Sequence, residues 1–424
     1  MEPAIPLPDT HAEELSALRQ QLELQQVQLD AVLQLTQAVN YNFSNAALME
    51  IYGYLLTHEL KADRFLLYME EEGWKRYVSK GMQSDTYPEN PFQFEGQERC
   101  IAVKAEWQSD FPGLEWLIPV VYKQRPLAYL LLGNFEWDND TRKNLLQYLQ
   151  AVTNILAVAN ENRRLIQQQM QQQKIQQELS LAAQMQGLLI PDKLPHDDHV
   201  EMAAVYLPHR DVGGDYYDVV KLPTEELVFC VADVSGKGIP AALLMSNFQA
   251  NLRALINYHH NIRQLVAALN SAVLSITKGD KFITLFIGKL DVKTGLLKYI
   301  SAGHVPPLIV RGTEYKELKE GTTILGMFDQ LPFLHVGKIH LEPGDTLLAF
   351  TDGVSEVSDY RGRAFGLQQT GDLVVQHQHE SLRNIQKKLL EALIKFKGDR
   401  NFADDLTLLG LRYLGWKQPE STEK

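Results

Sequence analysis

His209-Arg210-Asp211-Val212-Gly213-Gly214-Asp215-Tyr216-Tyr217-Asp218 and, one apolar run later, Val231-Ala232-Asp233-Val234-Ser235-Gly236 carry the first two of four acidic sites that organise the second half of the chain. The other two are Asp352 in Thr351-Asp352-Gly353 and the pair Asp404-Asp405 ahead of Leu406-Thr407. Each lies at the end of a strand-like run, and most adjoin glycine. A carboxylate that follows a strand leaves a rigid element aimed off the sheet edge, and a neighbouring glycine lets backbone, ion or phosphate come close. Hard cations such as Mg²⁺ and Mn²⁺ take oxygen ligands and retain water. Several carboxylates without a Cys or His cluster therefore read as one site for those metals rather than for zinc. Any one of them alone reads as a turn residue.

Around these motifs the pattern is strand-rich: Val200–Leu207, Tyr216–Leu222, Leu227–Ser235, Phe282–Val292, Leu296–Ser301, Leu308–Arg311, His335–Leu341, Thr346–Phe350 and Leu406–Tyr413. Tight turns such as Lys293-Thr294-Gly295 and Glu342-Pro343-Gly344-Asp345 separate them, which predicts antiparallel sheets rather than β-α-β winding. Helices at Ile239–Leu255, Ile262–Thr277 and His379–Phe396 would cover the sheets. The expected class is α+β, with an α-β-β-α sandwich of two antiparallel sheets flanked by helices.

Gly236-Lys237-Gly238-Ile239-Pro240-Ala241 satisfies a dinucleotide fingerprint between a strand and a helix, so a Rossmann oxidoreductase is one alternative. Against it, no acidic residue caps a second parallel strand about 20 residues on, where the chain continues as helix.

Upstream, Leu15, Leu18, Leu22, Gln25, Leu29, Val32, Thr36 and Val39 recur at alternating three- and four-residue steps. They predict a helix with one apolar seam, either packed on its own domain or paired in a dimeric coiled coil. Residues 41–160 read as a compact α/β unit: a helix through Asn45–Leu60, strands at Arg64–Met69, Trp74–Val78, Trp116–Val121 and Leu127–Gly133, and a closing helix from about Thr141. Trp74, Trp107 and Trp116 read either as lining of a ligand pocket or as core. A helical stretch of about 142–190 carries Leu149, Val152, Leu156, Ala159, Ile166 and Met170 in register. It then passes through Gln167-Gln168-Gln169-Met170-Gln171-Gln172-Gln173, where Ile175 falls out of phase. This is a solvated spacer, or a two-helix connector that can shift between signalling states. Pro191 is expected to stop it.

Length and composition bound the function. At 424 residues with 45% hydrophobic content, two or three globular domains are expected. A net charge of −12 and a pI of about 5.5 argue against a nucleic-acid partner and fit a protein substrate. Cys100 and Cys230 make no disulfide framework. Residues 1–10 lack a signal-peptide pattern, and no run approaches a membrane span, so the cytoplasm is the expected compartment.

The order and wording of the motifs resemble the SpoIIE branch of the metal-dependent PPM (protein phosphatase 2C-like) serine/threonine phosphatases. The resemblance runs from His209–Asp218 through Val231–Ala242, Ser301-Ala302-Gly303-His304-Val305-Pro306-Pro307 and Pro343-Gly344-Asp345 to Thr351-Asp352-Gly353-Val354-Ser355-Glu356 and Asp404-Asp405-Leu406-Thr407. It implies hydrolysis of phosphoserine or phosphothreonine on a protein by metal-activated water, without a phosphoenzyme. Four aspartates in family order outweigh the turn reading of each, and their presence argues against a catalytically silent phosphoprotein-binding module.

The resemblance further implies two Mn²⁺ or Mg²⁺ ions. Asp233 would lie between them and the Val234 backbone carbonyl would serve one. Asp352 and Asp404 would complete one ion's ligands, with Asp215 on the other directly or through water. Asp218 and Asp405 are expected in supporting or capping roles. Arg210 is a candidate for meeting substrate phosphate, with a surface salt bridge as its competing reading. Ser235 stands where many eukaryotic relatives have a histidine, which leaves a metal-held water or His304 as general acid; His304 reads first as a residue holding a turn. The branch implies a small phosphorylated regulator as substrate, of the anti-anti-sigma (STAS) kind used in partner switching. Residues 41–165 resemble a GAF sensor domain, which implies a small ligand there. The expected layout is a lead and coiled-coil-like helix at 1–40, the GAF-like domain at 41–165, a helical linker at 166–190, the phosphatase domain at 191–416 and a polar tail at 417–424. The whole is expected to form a homodimer.

Overall fold

A computed structural model describes residues 9–81, 87–91, 94–133, 139–195, 197–209 and 211–416. Arg210 and the tail 417–424 lie outside the described residues. The chain divides into two compact units, Met1–Lys174 and Ile175–Lys424.

In the first unit, α1 (Asp9–Asn40) is followed by α2 (Asn45–Tyr54), which Ser44 caps by accepting from the Ala47 amide, and by one π-helical turn at Leu55–Glu59. Strands β1 (Arg64–Glu70), β2 (Trp74–Lys80), β3 (Ile101–Ala102), β4 (Trp116–Tyr122) and β5 (Arg125–Gly133) form an antiparallel sheet of order β2-β1-β5-β4-β3. Alternation along β1 and β5 sends Phe65, Leu67, Leu130 and Leu132 to a core with the helices. It sends Leu66, Tyr68, Tyr129 and Leu131 to a second core with Phe94 and Trp107.

The three tryptophans do not line one pocket. Trp74 stacks on Tyr129 and Trp107 packs on Phe94, whereas Trp116 belongs to the opposite face. Of the predicted α1 seam, Leu15, Leu18, Leu22 and Leu29 are exposed and Val32, Thr36 and Val39 half-buried, whereas the stripe buried in the unit's own core is Ala31, Leu35 and Ala38, one residue out of that register.

Helix α3 (Asn139–Gly187) is a single element of 49 residues, continuous through the position where Ile175 falls out of phase. Its Gln-rich run contains no Gly or Pro, and Gln, Met and Lys are good helix formers that leave the hydrogen-bond ladder intact. It ends at Gly187, ahead of Pro191, with a turn at Leu188 and Leu189 between.

The second unit opens with β6 (Val200–Leu207), β7 (Tyr216–Lys221) and β8 (Glu226–Val234). Helices α4 (Ile239–Ile256) and α5 (Ile262–Thr277) follow, then β9 (Ile283–Asp291), β10 (Leu296–Ala302), β11 (Leu308–Arg311), β12 (Glu314–Glu317), β13 (Gly321–Thr322), β14 (Gly337–His340) and β15 (Thr346–Phe350). The chain closes with α6 (Asp352–Ser355), α7 (Gly366–His377), α8 (Leu382–Lys397) and β16 (Leu406–Tyr413). One sheet runs β13-β10-β9-β8-β7, with β14 on β10; the other runs β12-β11-β15-β16-β6. Apart from the short parallel pair β10·β13, every pairing in both is antiparallel. The strand before the Gly236–Gly238 turn therefore has only antiparallel neighbours, and the β-α-β unit a Rossmann site requires is not formed.

The inner faces of the two sheets, joined by Phe248, Leu252, Val266 and Leu269 from α4 and α5, make the main core. The outer face of the second sheet packs Leu348, Phe350 and Leu408 against Leu382, Ile385 and Leu389 of α8. Each such fully buried large side chain contributes roughly 1.5–3 kcal/mol relative to exposure. The result is the helix–sheet–sheet–helix sandwich. Among the described residues no helix is long and apolar enough to cross a membrane.

Candidate active site

Antiparallel register brings the first two aspartates together. Tyr216 pairs with Ala232 across β7 and β8, so one step further Asp215 stands opposite Asp233. Asp215 thus enters its strand rather than leaving it, as Asp404 does ahead of β16. The second sheet supplies the other two: Asp352 follows β15 at the start of α6, and Asp404-Asp405 precedes β16.

Asp215 is fully buried and is the anchor between the sheets. Its Oδ2 accepts from Thr351 Oγ1 at 2.7 Å and Thr407 Oγ1 at 2.6 Å, both on the second sheet's edge. Burial and the charge of Asp233 nonetheless hold its carboxyl well above the usual range, against the pull of the two threonines. Asp233 is pushed up to about 7 by burial and by Asp352, Asp404 and Asp405, with Lys237 opposing. Burial, Glu356 and Asp404 raise Asp352. Three carboxyls, those of Asp215, Asp233 and Asp352, are thus raised by burial and by neighbouring carboxylates, an arrangement that a bound cation would relieve.

Asp405 points the other way. Its two oxygens accept from the His209 and Gly214 amides, each at 2.7 Å, and so fix the Gly-Gly-Asp turn. Close approach is what requires the glycines here. A Cβ at residue 214 would stand 2.9 Å from the Val234 carbonyl oxygen, which therefore faces the Asp215 turn, and one at residue 353 would lie 1.8 Å from the Asp405 carbonyl. Gln186, near the end of α3, holds the same turn from behind. Its amide donates to the Gly213 carbonyl at 2.7 Å and accepts from the Gly213 amide at 3.2 Å.

Lys237 lies between the Asp404 carboxylate (Nζ–Oδ2 2.7 Å) and the Ala403 carbonyl (2.8 Å). This ammonium is a built-in counter-charge at the open rim of the cluster. Among the described residues, no three His, Cys, Asp or Glu side chains stand close enough to enclose an ion as placed. The donor set is nevertheless all oxygen, and the repulsion that Lys237 relieves only in part fits a hard divalent cation.

Two expected supporting residues lie apart. Asp218, on β7, is tied by Arg253 of α4 through Nε (2.8 Å) and Nη2 (3.0 Å) and accepts from Tyr216 Oη at 2.5 Å. His304 is buried, its Nδ1 2.8 Å from Thr284 Oγ1 and its Nε2 without a hydrogen bond; burial lowers its pKa to about 4. Ser235 Oγ accepts from the Phe282 amide at 2.9 Å. Thr351, Thr407, Lys237 and Gln186 were not singled out from sequence. Thr351, Thr407 and Lys237 sit inside the quoted motifs, whereas only the fold reveals that Gln186 reaches the site.

Residues 223–414 match the family model described as Stage II sporulation protein E (SpoIIE). The chain is 31% identical over 245 residues to the phosphoserine phosphatase RsbU of Bacillus subtilis, covering 57% of this chain and 71% of that protein. It is 30% identical over 237 residues to protein IcfG of a Synechocystis species, covering 49% of this chain and 37% of that one. Among solved structures, the SiaA-PP2C domain of Pseudomonas aeruginosa shares the fold, with a TM-score of 0.52 and 22% identity over 57% of this chain and 98% of that domain.

Proposed function

The chain belongs to the SpoIIE family of PP2C-type serine/threonine phosphatases, and from that premise we propose that it dephosphorylates phosphoserine or phosphothreonine on a regulatory protein in partner-switching signalling. The observation that carries the site assignment is the placement of Asp215, Asp233, Asp352 and Asp404 at the strand ends of two sheets, with the carboxyls of Asp215, Asp233 and Asp352 raised by burial and by neighbouring carboxylates.

Asp233, the Val234 carbonyl, Asp352 and Asp404, with Asp215 behind them, are the groups that would hold two Mg²⁺ or Mn²⁺ ions. When bound, such ions neutralise phosphate charge and make water a competent nucleophile near neutral pH. The protein's own part is to keep these oxygens in place. Thr351 and Thr407 orient Asp215, Asp405 and Gln186 fix the turn that presents it, and Lys237 holds Asp404 at the rim. A buried His304 with a lowered pKa, tied to Thr284, is a structural residue rather than a proton donor to a leaving group. Arg210 remains the candidate for the substrate phosphate.

The rest of the layout belongs to the same reading. Residues 41–165 act as a GAF-like sensor with a small ligand, and 166–190 link it to a phosphatase domain at 191–416. The exposed Leu15, Leu18, Leu22, Ile166 and Met170 form the seam of a homodimer in the cytoplasm, and the regulator is an anti-anti-sigma (STAS) type protein. Phosphate release from a phosphoserine peptide and from a small aryl phosphate, titrated with Mn²⁺ and Mg²⁺ and reversed by chelator, tests the activity. Absence of metal-dependent release from both would contradict it.

A further inference from the structure

The loop after α6 and the end of α8 enclose a groove of ≈ 880 Å³ in the second unit. Its floor is apolar, with Phe365 edge-on to Phe396 at 5.3 Å beside Ala392. Its rim is basic: Arg363, Lys395, Lys397 and Arg400 against Asp359 and Asp399. The Asp359 carboxylate is already taken up by the Arg363 guanidinium at 2.7 Å and by the Arg361 and Arg363 amides. The rim therefore presents excess positive charge on a chain whose net charge is −12.

The groove is tied to the carboxylate cluster through the chain itself. Its two walls, residues 359–369 and 392–400, lie between Asp352 and Asp404 in the chain, and Arg400 joins them by donating to the Asp359 carbonyl at 3.1 Å and the Tyr360 carbonyl at 3.4 Å. Arg400 is four residues from Asp404, so their Cα atoms are at most about 14 Å apart, within four or five residues of extended peptide. Tyr360 stands at the rim, 71% exposed.

We propose that this groove docks the polypeptide flanking the phosphorylated residue, and that the flank it takes is acidic with an apolar side chain for the Phe365–Phe396 floor. The inference rests on the phosphatase reading and extends it to substrate choice. A protein of net charge −12 repels an acidic phosphoprotein over most of its surface, so a local basic rim beside the active site offsets that repulsion where the substrate must sit. Ions held by the carboxylate cluster would engage only the phosphoryl group; the groove discriminates among proteins that carry one.

The test compares two phosphoserine peptides under saturating Mn²⁺, one with a flank of Asp, Glu and Leu and one with Gln, Ser and Ala in their place. The full chain should turn over the acidic peptide with a kcat/KM roughly tenfold higher, carried by KM and weakened by salt. In Lys395→Glu/Lys397→Glu that preference should vanish or invert, and in the milder Lys395→Gln/Lys397→Gln it should fall, with melting temperatures reporting the fold. Equal use of both peptides by the unaltered chain, or a preference that survives in folded charge-reversed protein, overturns the groove. Failure of the unaltered chain to hydrolyse either peptide or an aryl phosphate overturns the phosphatase reading and the groove with it.

Discussion

Thr351 and Thr407 face each other at the ends of β15 and β16 and direct both hydroxyls to the same oxygen of Asp215, while the Thr407 amide donates to Thr351 Oγ1 at 3.1 Å. A residue at the edge of one sheet is thereby oriented by the other. Thr407→Val should leave a buried carboxyl with one donor fewer and cost about 1–3 kcal/mol of stability. Calorimetric titration should also show weaker Mn²⁺ binding, and Thr407→Ser should restore both. Unchanged metal affinity in the valine variant would remove the threonine from the site.

Asp218 separates structure from chemistry. Arg253→Met strands a carboxylate that is 1% exposed. Because Arg253 itself is half-exposed, the loss should lie near the low end for a broken buried pair, about 3 kcal/mol by denaturant unfolding. Turnover per folded molecule should stay unaltered. A fall in kcat without a stability change would move Asp218 into the catalytic machinery.

His304 predicts an acid-side stability slope. Its folded pKa of about 4 lies below the ordinary 6.5, so between those values the unfolded chain binds a proton that the folded chain does not. The neutral buried ring is at no disadvantage above pH 6.5, and stability is lost as pH falls toward 4, by as much as roughly 3 kcal/mol. Urea melts across that window should show a shallower fall in His304→Gln than in the unaltered chain. Parallel slopes would refute the assignment.

The seam residues are tested by Ile166→Glu/Met170→Glu. Both side chains are more than half exposed in the single chain. The double variant should sediment as a smaller species with altered phosphatase output and unchanged metal affinity. An unchanged association state with unchanged activity would reduce the helix to a spacer.

Much of this was legible because it is local. Strands such as Val200–Leu207 and Thr346–Phe350 announce themselves by apolar runs between Gly and Pro turns, and each aspartate of the cluster sits in a short motif. What sequence could not give depends on partners distant along the chain. The clamp of Thr351 and Thr407 on Asp215 spans 136 and 192 positions, and Gln186 meets Gly213 only because α3 ends beside that turn. Helix α7, only 12 residues long and interrupted by the polar Gln368-Gln369, and the four-residue β12 were too short to be read.

Asp233 is the position on which the account turns, because it stands opposite Asp215 and shares repulsion with both Asp352 and Asp404. The decisive measurement is phosphate release from a phosphoserine peptide by Asp233→Asn across a Mn²⁺ titration, beside the unaltered chain and with melting curves for each. Asp233→Asn should remain folded while its turnover falls by on the order of a hundredfold or more at every metal concentration, since several kcal/mol of charge stabilisation depend on that carboxylate. Near-unaltered hydrolysis at saturating Mn²⁺ would contradict it.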